Sequence, residues 1–273
     1  MPKTSKKIKL KVISSPEITD IFIALNVFGY DDENNPKGMS IIRKKLRSEI
    51  SNKDFGKKYP VLKKMTRSYH PWHLINFALS NSDGKRRISF FYELKKFDDE
   101  PIIRKYRKLV AEEQSKKADI LTRRFLKEIT KIIDFLNNPK LGFKKVIVMI
   151  NLLDSYWSGY SFTIGDSVYL ITGPGSIDER VNVLSHELFH VFAPNYHLPK
   201  SFPARVSREM SRQGYVSKKI IRNEYVVRAL GLVYLSYVKK INMRQLHWLD
   251  IEKDFPDIRE AVRIIEKVGR YAL

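Results

Sequence analysis

Apolar and polar positions in the first hundred residues form patterns that predict mostly helices. Lys9 to Ile13 alternates with a period of two and predicts a short strand. Ser15-Pro16-Glu17 follows and indicates the start of a helix, because serine caps a helix and proline is tolerated at its first position. The predicted apolar side of that helix consists of Ile18, Ile21, Phe22 and Leu25. Further helices are predicted at Met39 to Ile50 and Pro71 to Leu79, whereas Arg87 to Leu94 fits a strand or a helix.

A long helical pattern occupies the middle of the chain. Apolar residues recur with helical spacing from Pro101 to about Leu136, and the polar stretch Glu112 to Lys117 is where we predict a bend. Asn137-Asn138-Pro139 is expected to end this helix, because proline cannot continue it.

After residue 140 the pattern changes to strands. We predict strands at Lys145 to Leu152, Phe162 to Ile164 and Val168 to Ile171, the last two joined by a turn at Gly165-Asp166. Gly173-Pro174-Gly175 ends the predicted sheet. We therefore predict a domain boundary near residue 140, between a helix-rich N-terminal region, 1–140, and a second domain, 141–273.

Two long apolar helices are predicted in the second domain. Ser176-Ile177-Asp178-Glu179 matches a capping box, and the helix that it begins runs to Phe192 before Pro194 ends it. This helix is apolar almost all round, which predicts burial. A second apolar helix is predicted from Ser217 to Val238. The predicted fold class is α+β, with a small twisted mixed sheet, the first of these helices beneath it and a mainly helical C-terminal part.

Composition excludes several classes of protein. The chain has 273 residues, of which 43% are hydrophobic, so it can bury a large core. No apolar run approaches the roughly 20 residues that cross a bilayer, and no early stretch is apolar enough for a signal peptide. Cysteine is absent, which excludes disulfide scaffolds and thiolate metal sites. We expect a cytoplasmic protein without a membrane partner.

The charge makes nucleic acid the first partner to consider. The chain carries 51 Lys and Arg against 30 Asp and Glu, a net charge of +21. The basic residues are spread along the whole chain, and no zinc-finger spacing, RNP signature or Gly-rich phosphate loop accompanies them. Solvated Lys/Arg faces on helices are therefore the preferred interpretation, and non-specific nucleic-acid binding is the alternative.

The first of the two apolar helices contains the pentapeptide HELFH, with His186, Glu187 and His190. Residues four apart lie one above the other on a helix, so both imidazoles can bind a single zinc ion. Glu187 is offset by about 100° from the first histidine and is placed to contact a metal-bound water. Two histidines and a glutamate in an apolar helix need partners, and a metal supplies them. Hydrogen-bonded core histidines are the alternative interpretation.

A catalytic zinc needs a third protein ligand and an open position for water. The metzincin spacing does not fit, because Ala193 and Tyr196 stand where that pattern has Gly and His. Glu209 and Glu224 are the serious candidates. Arg205, Arg208 and Arg212 surround Glu209, so an exposed ion pair is its simpler interpretation, whereas Glu224 lies on the apolar side of the second helix, where a carboxylate needs a partner.

HELFH followed on a later helix by Asn223-Glu224 resembles the gluzincin group of zinc metallopeptidases, the thermolysin-like class. The segments Tyr156 to Gly159 and Phe162 to Asp166 are also similar to the stretch before the zinc helix of that class. The combination of an N-terminal helix, the HELFH helix and the segment from Gln213-Gly214-Tyr215 through NEYVVRAL further resembles prokaryotic gluzincin-like proteins of unknown function. The resemblance covers about residues 140 to 240, and the first 140 residues match no peptidase pattern.

The resemblance implies roles for particular residues. Glu224 would be the third zinc ligand, and Ser155 and Tyr156 would touch the substrate backbone. Tyr215 and His197 are candidates for stabilising the oxyanion of the transition state, although spacing alone does not assign that role. One departure concerns Arg228, which stands where the thermolysin pattern has an Asp four residues after the glutamate ligand, so the surroundings of the ligand must differ.

These features lead to one functional hypothesis with two alternatives. The chain is expected to be a zinc metallopeptidase in which His186, His190 and Glu224 hold Zn²⁺ and Glu187 activates water. Its substrate would be a peptide or unfolded protein, bound to an edge strand near Phe162 to Tyr169. Endopeptidase action is preferred, because no acidic cluster for a free amine is evident. The alternatives are a basic nucleic-acid-binding protein with a structural HELFH helix, and an inactive zinc scaffold that binds peptides.

Overall fold

The computed structural model of this chain describes residues 8–30, 39–50, 54–80, 85–136, 142–212, 215–241 and 248–272. These residues form two compact units. The sheet unit consists of the described residues up to Arg124 together with Phe143–Leu184. The helical unit consists of those within Phe125–Gly142 and Ser185–Leu273.

The small mixed sheet that the sequence predicts lies in the sheet unit and has four strands. Its strands are β1 (Lys9–Ile13), β2 (Lys145–Ile150), β3 (Gly159–Ile164) and β4 (Ser167–Thr172). Their order is β1-β2-β4-β3, with β2 parallel to both of its neighbours and β3 antiparallel to β4. The strands β2 and β4 have few polar side chains because both are central and largely buried.

The hairpin between β3 and β4 turns at the predicted Gly165-Asp166. Gly165 has a φ of 59°, in the left-handed region that favours glycine. The sequence predicts an edge strand near Phe162 to Tyr169. This prediction is wrong for the part that contains Tyr169, because β4 has a neighbouring strand on each side. Only the β3 part, which contains Phe162, is at the edge of the sheet among the described residues.

The predicted boundary near residue 140 falls between two strands that pair with each other. β1 lies beside β2 in register, with Lys9 opposite Lys145, so a strand from the first residues is part of the sheet that follows residue 140. The sequence offers no sign of this pairing, because parallel partners can be separated by any length of chain. Whether this boundary separates two independently folding domains stays a prediction.

Seven helices are described between β1 and β2. They are α1 (Pro16–Phe28), α2 (Ile41–Ile50), α3 (Phe55–Lys58), α4 (Pro60–Ser68), α5 (Pro71–Leu79), α6 (Lys85–Asp98) and α7 (Pro101–Phe135). Ser15 caps α1 by accepting a hydrogen bond from the Ile18 backbone N–H at 3.3 Å, which confirms the predicted start. Arg87 to Leu94 is helical, and α7 continues without interruption through Glu112–Lys117.

The remaining helices belong to the C-terminal half of the chain. They are α8 (Ile177–Phe192), α9 (Arg208–Arg212), α10 (Lys218–Tyr237), α11 (Trp248–Asp254) and α12 (Ile258–Ala272). The limit between the units falls within α7 and within α8. The predicted helix stop at Asn137-Asn138-Pro139 and the pair Gln213-Gly214 lie outside the described residues.

The core of the helical unit forms around α10, which packs against α12. Tyr225 on α10 is fully buried and donates from its hydroxyl to the Arg205 carbonyl at 2.5 Å. Arg222 donates to three carbonyl groups of the segment after α8, those of Leu198, Pro199 and Phe202. These bonds fix that segment to α10.

None of the described helices has the length and apolarity needed to cross a membrane. The cytoplasmic location stays a prediction.

Candidate metal centre

Helix α8 begins with the predicted capping box and carries both histidines of HELFH. The Ser176 backbone N–H donates to Glu179 Oε2 at 2.7 Å, and the Glu179 N–H donates to Ser176 Oγ at 3.2 Å. The rings of His186 and His190, four residues apart, have centroids 5.1 Å from each other. Both imidazoles therefore lie on one side of the helix, one turn apart.

Helix α10 brings Glu224 to these two histidines. His186 Nε2 lies 3.4 Å from one carboxylate oxygen of Glu224, and His190 Nε2 lies 3.4 Å from the other. One nitrogen or oxygen atom from each of the three residues lies within 4.8 Å of the others, so the group could hold a metal ion. All three residues belong to the helical unit.

Glu209, the other predicted candidate for the third ligand, is exposed on α9. No metal-binding group among the described residues includes it. Arg205, which the sequence places around Glu209, forms an ion pair with Asp257. Of the two candidates, only Glu224 is brought to the histidines.

The surroundings of Glu224 fit a cation. This side chain is only 4% exposed, and its Oε1 has no hydrogen-bond partner among the described residues. Arg228 lies one turn further along α10, with its Nε 2.7 Å from that oxygen, but the angle is not that of a hydrogen bond. A buried carboxylate oxygen without a hydrogen bond is costly, and a metal ion bound by two imidazoles and this carboxylate would satisfy it.

The protonation states also suit a metal. Burial lowers the pKa of His186 and of His190 below the ordinary value, so both rings are neutral at pH 7 and keep a lone pair for a metal. Burial would raise the pKa of Glu224, but His186, Arg228 and His190 outweigh it and hold that pKa below its usual value. The His186 side chain is still 32% exposed, which leaves solvent access to the group.

Asn223, immediately before Glu224, contacts the other side of the His190 ring. Its Nδ2 lies 2.9 Å from His190 Nδ1. A metal on Nε2 requires the proton to sit on Nδ1, so Asn223 must then present its carbonyl oxygen, which needs only a half-turn of the amide. Side chains in this position orient histidine ligands of metals. The sequence shows the Asn-Glu pair, but the contact of Asn223 with His190 depends on how α8 and α10 pack.

Glu187, the predicted general base, is only 8% exposed and follows His186 on α8. Its position on the helix points it about 100° away from the direction of His186 and about 60° away from that of His190. It is not part of the three-residue group. The sequence prediction that it does not bind the metal is consistent with this placement, while its catalytic role stays a prediction.

Tyr215 lies close to this group, whereas His197 is exposed on the segment after α8. Burial raises the pKa of the Tyr215 hydroxyl, and the charges of Glu224 and Glu187 raise it further, while Arg228 opposes them. The Tyr215 ring packs edge-on against Phe255, with centroids 6.0 Å apart. Tyr215, one of the two predicted oxyanion stabilisers, is therefore close enough to Glu224 and Glu187 to feel their charges.

Ser155 and Tyr156, the predicted substrate contacts, lie in the loop between β2 and β3 in the sheet unit. Gly173 allows this loop to approach the end of β4, since a Cβ at Gly173 would lie 2.0 Å from the Ser155 carbonyl oxygen. The Gly173 N–H donates to the Ser158 carbonyl at 3.0 Å. Ser155 is buried and Tyr156 is half-buried.

A buried carboxylate that the sequence did not single out holds this loop. Asp154 is fully buried and accepts hydrogen bonds from the hydroxyls of Tyr30 and Tyr160, at 2.8 and 2.9 Å, and from the Ser155 N–H. Burial raises the pKa of this carboxyl, and the hydrogen bonds oppose that rise. Tyr30 and Tyr160 come from distant parts of the sequence, so no local pattern could have revealed the cluster.

Comparison with models of protein families, with curated proteins and with solved structures finds no significant match to this chain. The resemblance to gluzincins therefore rests on the residues of the chain itself and stays a prediction.

Proposed function

We propose that this chain is a zinc-dependent metallopeptidase of the gluzincin type, in which His186, His190 and Glu224 hold the ion. The observation that carries the proposal is the meeting of Glu224, on α10, with both imidazoles of the HELFH segment on α8. A chance HELFH sequence requires no such partner. Here a carboxylate on a separate helix meets both imidazoles, and the glutamate next to the first histidine is proposed to act in catalysis.

Zinc is the ion that this ligand set and its chemistry favour. Two imidazoles and one carboxylate, with a position left for water, are a common set for catalytic zinc. Imidazole also suits other transition metals, so the ligands alone leave the identity of the ion to experiment. When bound, zinc supplies a Lewis acid that allows water to act as a nucleophile near neutral pH.

Glu187 is proposed to move the protons of the reaction. Its carboxylate accepts a proton from water while the water oxygen attacks the carbonyl carbon of the peptide bond. It then donates that proton to the departing amine nitrogen as the C–N bond breaks. Tyr215, near Glu187 and Glu224, is proposed to donate a hydrogen bond to the carbonyl oxygen as negative charge develops on it.

Within the sheet unit, β3 is proposed to bind an extended peptide. β3 is an edge strand, and an extended peptide can add to such an edge through backbone hydrogen bonds. Trp72 of α5 stacks on Phe162 of β3, with centroids 5.3 Å apart, so an aromatic surface accompanies this strand. Backbone recognition of this kind suits unfolded segments of varied sequence, which agrees with endopeptidase action.

The proposal is tested by metal analysis and hydrolysis on the same purified protein. We expect about one zinc per chain, cleavage of a denatured protein substrate, loss of cleavage after chelation, and recovery when zinc is added back. Protein that holds no zinc even after incubation with the ion would contradict the proposal and favour a structural HELFH helix. Zinc without cleavage of any unfolded substrate would favour the inactive scaffold.

A further inference from the structure

Arg228 stands beside the metal-binding group in a position that the three ligands do not explain. Its Nε lies 2.7 Å from Glu224 Oε1, and this nitrogen is buried without a hydrogen-bond partner among the described residues. The side chain as a whole is 31% exposed, so the rest of the guanidinium has access to solvent. The group thus includes a cation that still has N–H groups to donate.

Two aromatic rings fix the position of this cation. The Arg228 guanidinium carbon lies 4.3 Å from the centre of the Phe255 ring, and the ring of Tyr215 packs against the same phenylalanine. The Tyr215 hydroxyl interacts with the Arg228 side chain and with the charges of Glu224 and Glu187. Phe255 and Tyr215 therefore hold the Arg228 guanidinium beside Glu224.

The charges of the group favour an incoming anion once a metal is bound. A divalent ion brings two positive charges, and Glu224 and Glu187 bring one negative charge each, so these groups alone are neutral. Arg228 adds a further positive charge. Glu224 neutralises Arg228 in the metal-free protein, but it cannot neutralise both cations at once when it also binds a metal.

We infer that Arg228, held in place by Phe255 and Tyr215, forms a carboxylate-binding subsite beside the metal ligands, so that the preferred substrates carry a negative charge close to the bond that is cut. This inference rests on the proposed function. The planar guanidinium matches a carboxylate in shape and charge. The carboxylate can come from the C-terminus of a peptide or from an acidic side chain.

The inference is tested by binding, without hydrolysis as the readout. The protein is loaded with Co²⁺, and the visible absorption of the bound ion is followed during titration with small probes. The probes are N-acetylalanine, N-acetylalanine amide and N-acetylglutamic acid α-amide. The first carries a C-terminal carboxylate, the second carries none, and the third carries only a side-chain carboxylate. The carboxylate probe that binds more tightly shows whether the subsite prefers the C-terminus of a peptide or an acidic side chain.

We expect at least one carboxylate probe to bind the wild-type protein about tenfold or more tightly than the neutral amide. Arg228→Gln should reduce this preference to about threefold or less, and Arg228→Lys should keep part of it because the charge remains. Tyr215→Phe should weaken it by a few-fold. Lys218→Gln is the matched control, since it removes the same charge from an exposed position ten residues earlier on α10 and should keep the preference.

Several results would overturn the inference. Equal binding of carboxylate and amide probes to the wild-type protein would do so without any variant, as would a preference that survives in Arg228→Gln. If Co²⁺ binds but no carboxylate preference is found, only the subsite fails. If no Co²⁺ binds at all, the proposed metal centre fails together with it.

Discussion

Asn223 contacts His190, with its Nδ2 2.9 Å from Nδ1 of the imidazole, while the next residue, Glu224, faces Nε2 of the same ring. Two adjacent residues of α10 therefore meet the two nitrogen atoms of one histidine on α8. Nε2 can bind a metal only when the proton is on Nδ1. In the metal-bound protein the oxygen of the Asn223 amide, and not its nitrogen, must therefore face the ring.

Variants of Asn223 should show that its role is to accept a hydrogen bond. Asn223→Asp keeps an acceptor and should retain zinc affinity within about threefold, whereas Asn223→Leu should lose about 10- to 100-fold. The affinity is measured by competition with a chelator of known strength. Equal weakening in both variants would show that the amide N–H, and not its oxygen, faces His190.

The third ligand is tested by comparing Glu224→Ala with Glu209→Ala. The first should lose zinc retention and activity, because Glu224 is buried between His186 and His190. The second should change the free energy of unfolding by no more than about 1 kcal/mol, because Glu209 is exposed. Metal content and thermal denaturation are measured for both. A filled metal site in Glu224→Ala and an empty one in Glu209→Ala would reverse the assignment.

The loop that carries Ser155 should depend on Asp154 for stability. Asp154→Asn replaces a carboxylate oxygen that accepts hydrogen bonds, and we expect a loss of about 1–3 kcal/mol in the free energy of unfolding. Asp178→Asn is the matched control, because this carboxylate is 79% exposed and pairs with Arg124 on the surface. Its effect should stay below about 1 kcal/mol. Equal effects in chemical denaturation would contradict the structural role of Asp154.

Local sequence patterns predicted the elements that carry the centre. The capping box at Ser176 and Glu179, the strand positions after residue 140 and the limits of α10 depend on neighbouring residues, and the structure confirms them. Glu224 could be preferred over Glu209 because a carboxylate on an apolar helix face needs a cation. The helical period alone places Glu224 on that apolar face.

Contacts between distant segments could not be predicted in the same way. The pairing of β1 with β2 and the bonds from Tyr30 and Tyr160 to Asp154 are absent from any local pattern. The ion pair between Arg205 and Asp257 joins residues 52 positions apart. The approach of Tyr215 to Phe255 likewise joins two segments that are distant in the sequence.

Nucleic-acid binding, the alternative suggested by the net charge of +21, should be weak and non-specific. We expect the affinity for duplexes of different sequence to be similar and to fall steeply between about 50 and 200 mM salt, because phosphate contacts release counterions. Fluorescence anisotropy with two unrelated duplexes measures this. A strong sequence preference that persists at high salt would instead make nucleic-acid recognition the leading function.

The most direct test of the proposed metallopeptidase is the hydrolysis rate of Glu187→Gln at matched zinc content. Glu187 handles the proton and does not bind the metal, so the variant should keep its zinc and its fold while the rate falls by about 10²-fold or more. Zinc retained together with this loss is the predicted result. Hydrolysis close to the wild-type rate in zinc-loaded Glu187→Gln would contradict the account.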